Sequence, residues 1–157
     1  MINDIGPYLE TLAHIERSEA AVGEYYRQCA LHWPEAAAFW NAIAAEEDMH
    51  VLSVRQMAAM LTAAPQKFRQ GRNINPVAIK TFIRGVEEHK SRVAAGELDQ
   101  KRALFIAIDI EKSLLENRFY EILQADTDEF GKLIARITAE TRGHFSRMQA
   151  EAVKLGQ

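Results

Sequence analysis

Apolar residues recur at helical spacing along almost the whole chain, and helix breakers divide that pattern into long pieces. From about Pro7 to about Trp33 the period is 3.6 residues, carried by Tyr8, Leu12, Ile15, Val22, Tyr26, Ala30 and Trp33. Pro34 ends this piece and can open a second helix to about Ala64, with Phe39, Trp40, Ile43, Val51, Val54 and Leu61 on one face. So short a break predicts antiparallel neighbours. Residues 65–75 are polar and basic and read as loop. Asn75-Pro76 is a cap followed by proline at the first helical position, and the helix it starts runs to about Ala95, where Gly96 stops it. Asp99 caps a third long helix, expected to reach about Ala125. Asp126 with Glu129 three residues on reads as a capping box for a fourth, ending near Leu155. No segment reads as a strand. The expectation is one all-α domain over residues 1–157. It is a four-helix bundle of two hairpins, joined by one long crossover that carries an extra short helix.

Composition narrows the function. The 157 residues hold 19 Lys+Arg against 22 Asp+Glu, a net charge of −3, so no basic footprint for nucleic acid is present. Cys29 is the one cysteine, which excludes a disulfide framework, a rubredoxin-type four-cysteine site and a CxxC redox pair. A cytoplasmic protein is expected. No signal peptide is read at the N-terminus, and no run approaches the roughly 18 apolar residues of a membrane span.

The informative positions are acids that interrupt apolar faces. On helical wheels Glu19 lies within roughly 20° of the centre of the first stripe. Glu47 is as central in the second, His50 is within roughly 40°, and Glu46 points away. Glu111 falls among Leu104, Ile108, Leu115 and Ile122. In the last helix His144 lies within the stripe of Phe130, Ile134, Ile137, Thr141, Met148 and Leu155, with Glu140 at its edge. Glu19 and Glu47 each stand roughly 20 Å from the first hairpin turn, and Glu111 and Thr141 are matched about the second. Carboxylates and two imidazoles are therefore expected at one level in mid-bundle. Several buried acids at one level need cations, shared protons or arginine partners, and a pair of divalent metals suits Glu and His ligands.

These residues resemble the ferritin-like di-iron carboxylate bundles, which use one Glu from each of two helices and Glu-x-x-His from each of the other two. Glu19 stands in EAAVGEYY, Glu47 and His50 in AAEEDMH, Glu111 in AIDIEKS and His144 in AETRGH. The chain is most similar to the rubrerythrin-like branch, over nearly its whole length. Three departures stand out. Thr141 occupies the glutamate position of the last Glu-x-x-His, where Glu140 precedes His144 by four. Leu114 stands where rubrerythrins carry a further Glu. No rubredoxin-like domain can be built from one cysteine.

The resemblance implies two iron ions, for which zinc or manganese can substitute. Glu47 and Glu111 would bridge them, Glu19 and His50 would cap one, and His144 with Glu140 the other. It implies reduction of peroxide or dioxygen, with electrons from an external donor protein. Tyr26, two turns after Glu19, would then donate a hydrogen bond to a ligand or quench a radical; ordinary core packing is its other reading. Turnover is left open against a non-catalytic bundle, holding one metal or none, that acts as partner or sensor. No nucleic-acid or membrane partner is expected, and a homodimer is compatible with general base rates. Arg118, seven residues after Glu111, either neutralises a core carboxylate or reaches solvent. Glu87, Glu88 and His89 read as a solvated face, His14 and His32 as surface residues, Cys29 as core, and Lys67, Arg69 and Arg72 as a solvated loop.

Overall fold

In the computed structural model, which describes residues 1–156, helix α1 spans Gly6–His32, with Pro7 in its first turn. Trp33 and Pro34 end it, since proline disfavours helical geometry in the residue before it. Pro34 opens only a short 3-10 turn, Pro34–Ala36, before α2 at Ala37–Ala63. The two helices pack against each other as an antiparallel hairpin.

The crossover is more ordered than a loop. After a 3-10 turn at Pro65–Lys67 it forms a strand, β1, at Phe68–Gln70. Helix α3, Pro76–Ala94, starts where expected, with the Asn75 side chain accepting from the Val77 amide at 3.0 Å. It packs on α1. Gly96, at φ +71°, makes the turn that follows. Asp99 then caps α4, Gln100–Asn117, by accepting from the Arg102 amide at 2.7 Å. The last helix, α5, covers Asp128–Leu155 and packs on α4. Contacts of α2 with α5 and of α1 with α4 join the two hairpins into a helical bundle.

Three expectations need correction. The third long helix does not reach Ala125. It ends at Asn117, Arg118 turns left-handed at φ +52°, and the chain passes through a 3-10 turn, Phe119–Ile122, into strand β2, Leu123–Ala125. The gain is tertiary: Phe119, Ile122 and Leu123 are all buried, and β2 pairs antiparallel with β1, Phe68 opposite Ala125. Phe119 meets Phe82 of α3 edge-on at 6.2 Å between ring centres. A sheet therefore exists where no strand was read. Gly71 permits it, because a Cβ there would stand 1.9 Å from the Glu121 carbonyl oxygen. Finally, Thr127 rather than Asp126 occupies the cap position of α5, and Asp126 pairs with Arg69 at 2.9 Å.

The core runs the length of the bundle. Trp40, Tyr25, Tyr26, Ile15, Ile43, Met57 and Ile137 are almost wholly enclosed, each such side chain contributing about 1.5–3 kcal/mol of apolar burial. On α4 the buried face is Ala103, Leu104, Ala107, Ile110 and Glu111, while Ile108 and Leu115 are only half-buried. Cys29 is core. Arg118 reaches solvent and pairs with Glu121 at 2.5 Å. Among the described residues no helix is long and apolar enough to cross a membrane.

Candidate metal centre

Four helices deliver three buried acids and two imidazoles to one place. Glu19 comes from α1, Glu47 from α2 and Glu111 from α4, each at most 2% exposed. His50 and His144, equally enclosed, come from α2 and α5. Gly23 lets α1 and α2 approach at this level, since a Cβ there would lie 3.3 Å from the Glu47 Cβ.

The donors form two overlapping groups that share Glu47. Glu19, Glu47 and His50 offer ligand atoms within 4.8 Å of one another, and so do Glu47, Glu111 and His144. In the first, His50 Nδ1 is 3.0 Å from Glu47 Oε2 and 3.6 Å from Glu19 Oε2. In the second, His144 Nδ1 is 2.9 Å from Glu47 Oε1 and 3.3 Å from Glu111 Oε1. The two rings stack at 5.6 Å.

Each imidazole has a carboxylate of the opposite helix behind it, within hydrogen-bond geometry at His50 and close but not aligned at His144. His50 Nε2 lies 2.7 Å from Glu140 on α5, and His144 Nε2 lies 3.2 Å from Glu46 on α2. Arg147 in turn holds Glu46. An outer carboxylate that takes the Nε2 proton leaves the inner nitrogen free to ligate, the usual device for orienting a metal-binding histidine.

Two tyrosines complete the shell. Tyr26 donates to Glu111 Oε1 at 2.5 Å and stacks on Trp40 at 5.8 Å. Tyr120, from the turn after α4, donates to Glu19.

Of the sequence candidates, Glu19, Glu47, His50, Glu111 and His144 meet in these groups, and Tyr26 touches one of their carboxylates. Glu140 is placed on the outer nitrogen of His50, away from the His144 group. Thr141 is buried, but its hydroxyl donates to its own helix at the Ile137 carbonyl, 2.8 Å away.

Glu46 and Tyr120 were not foreseen. Glu46 neighbours Glu47, and its wheel position points outward; only its distance to a histidine on another helix shows its use. Tyr120 is nine residues after Glu111, about 180° away on a continuous helix, so the break at Arg118 is what brings it round. Three other readings resolve simply. Lys67, Arg69 and Arg72 are exposed or nearly so, the two arginines being tied to the segment before α5. His32 is exposed, and His14 is half-buried. Glu87 and Glu88 are exposed, with His89 half-buried.

Electrostatics sharpen the picture. Burial raises the Glu19 carboxyl to about 8. Burial disfavours the charged form of His50, yet Glu19 and Glu47 outweigh it and hold the imidazole up at about 11. Burial opposes His144 likewise, and Glu111 with Glu47 lifts it to about 10. Protons alone leave the cluster incomplete. Glu19 Oε2, Glu47 Oε1, Glu111 Oε2 and both nitrogens of His144 are enclosed without an aligned hydrogen bond. Each orphan of this kind costs about 1–3 kcal/mol, more where charged. Cations held among the three glutamates and His144 Nδ1 would satisfy the inward atoms, so the residues fit metal binding by donor chemistry and enclosure. No protein-family model matches the chain, and no match is found among curated proteins or solved structures.

Proposed function

We propose that the chain is a rubrerythrin-like di-iron protein of the ferritin-like kind, reducing peroxide or dioxygen with electrons from an external donor. The observation that supports this reading is the central carboxylate of Glu47, shared between two buried Glu/His groups whose remaining atoms lack partners. Glu19 and His50 would hold one ion, Glu111 and His144 the other, and Glu47 would serve both; Glu111, expected to be shared like Glu47, joins only the His144 group. When bound, two redox-active ions would supply the electron pair that peroxide reduction needs.

The chain's own residues then have definite tasks. Glu140 holds His50 in the ligating tautomer, and Glu46, 3.2 Å behind His144, is the group that would do the same there. Tyr26 and Tyr120 fix one oxygen each of Glu111 and Glu19, leaving the other oxygen for the metal. Tyr26, buried against Tyr25 and Trp40, shields from water the Glu111 oxygen it holds. With Cys29 as the sole cysteine, these residues form no rubredoxin-type site, and the reading assigns the electrons to an external donor.

Metal content per chain after anaerobic loading with ferrous iron tests the reading, with Glu47→Ala as control. About two ions, lost in the variant, supports it. About one would favour the second reading, a mononuclear or sensory bundle, which the absence of a carboxylate at Thr141 also favours. None, with the bundle folded, overturns the di-iron reading and leaves a metal-free partner or sensor bundle.

A further inference from the structure

A cavity of about 300 Å³ lies between the end of α4, the turn after it and α5. Peroxide does not account for it: one water occupies about 30 Å³ of liquid, so the space suits an organic molecule rather than two oxygen atoms. Its walls are Leu114, Leu115, Ile134 and Ile137. Its inner end reaches the metal centre's surroundings. Tyr120, which donates to Glu19, lines it, and so does Thr141, one turn before His144. Leu114 and Thr141 are the two positions where small or apolar side chains replace the carboxylates of the family pattern, and both border this space.

The polar residues of the lining are unequal. Glu121 is matched by Arg118 at 2.5 Å and by Arg72 at 3.9 Å. Arg142 is exposed beside the cavity and has no carboxylate partner among the described residues. An uncommitted guanidinium next to an apolar pocket selects an anion attached to an apolar body.

We propose that this cavity binds a small organic monoanion, its carboxylate on Arg142 and its hydrocarbon body against Leu114, Leu115, Ile134 and Ile137, ending beside Thr141 and Tyr120. The ligand would be the organic substrate or co-substrate of the centre. That assignment rests on the metal reading, whereas the binding site itself does not.

The test uses the full-length, metal-free protein titrated with hexanoate, followed by calorimetry and by amide shifts. Saturable binding is expected, with shifts centred on Leu114, Ile134 and Thr141 and none on addition of hexylamine. Arg142→Gln should weaken binding about tenfold, the usual effect of losing a charge-assisted hydrogen bond. Leu114→Trp should fill the space and abolish binding, and native circular dichroism checks that it still folds. Absence of saturable binding, or binding unaffected by both variants, overturns the site. Cobalt loading separates the two ideas. Hexanoate that binds and perturbs the visible spectrum of bound cobalt supports both. Hexanoate binding without cobalt uptake keeps the cavity and removes the metal reading. Cobalt uptake without hexanoate binding does the reverse.

Discussion

In one half of the centre Glu19 and His50 meet Glu47; in the other, Glu111 and His144 meet the same carboxylate. Both halves have an inward Nδ1, a carboxylate behind the ring and a tyrosine on the terminal glutamate. They differ in how the tyrosine is supplied. Tyr26 belongs to α1, is wholly buried and stacks on Trp40. Tyr120 is half-buried, comes from the turn after the α4 break, and faces the cavity. The Glu111 half is thus fixed by helix packing alone, while the Glu19 half depends on a chain connection that the small sheet holds in place. Equivalent ligands can be built by unequal means, and the loop-built half is the one expected to tolerate change.

Removing a terminal carboxylate from either half should have the largest effect. On the proposed di-metal reading, Glu19→Ala and Glu111→Ala should each lower metal content from about two ions per chain to about one, because Glu47 remains to serve the intact half. Loss of both ions in either variant would show that the halves are not separable.

Acidity should act next most strongly, and unequally. Metal must displace protons from both imidazoles and, in the Glu19 half, also from a carboxyl raised to about 8. Affinity should rise by up to about tenfold per pH unit for each proton displaced, so the Glu111 half should fill first at about pH 6. The metal-free protein should show the opposite trend. A histidine whose folded value lies above its ordinary 6.5 contributes stability in full below that value, and loses it as pH rises through about 10 for His144 and 11 for His50. Glu19 holds its proton in the fold from its ordinary 4.5 up to about 8, which also lowers stability as pH rises across that window. Thermal unfolding of metal-free and zinc-loaded protein at several pH values checks both signs. A metal-free Tm that climbs with pH would contradict the cluster's electrostatics.

The carboxylates behind the rings come third. Glu140→Gln should weaken the His50 half and Glu46→Gln the His144 half, by about 10–100-fold in metal affinity, as for other outer partners of ligating histidines. Competition with a chelator would measure this, and equal loss from both halves in one variant would argue against the cross-helix pairing.

The tyrosines give the smallest effect and the cleanest contrast. Tyr26→Phe should cost the metal-free protein about 1.5–3 kcal/mol in urea unfolding, since the Glu111 oxygen it serves is sealed in the core. Tyr120→Phe should cost less than about 1 kcal/mol, because water from the cavity side can replace the lost donor. Equal costs would erase the distinction between the helix-built and loop-built halves.

Much of this site was legible in the chain because helical periodicity converts sequence position into direction and height. Glu19, Glu47, His50, Glu111 and His144 interrupt apolar stripes, and an acid in mid-stripe has no inexpensive place in a core unless it has partners. The helix starts at Pro76 and Gln100 were equally readable, because Asn75 and Asp99 act on amides two or three residues away.

What the tertiary structure alone decided lies between segments distant in sequence. Sequence pattern carried Leu115 and Ile122 on as helix, since burial of Phe119, Ile122 and Leu123 against α3 and β1 depends on a partner 55 residues away. Once α4 stops at Asn117, Tyr120 turns to Glu19 and a cavity opens beside Thr141. Glu46 and Glu140 likewise acquire their places from the α2–α5 contact, because an outward acid becomes a histidine's partner only when another helix brings the ring within reach. Local spacing specifies which side chains must be buried; the packing of one helix on another selects which of the remaining ones they meet.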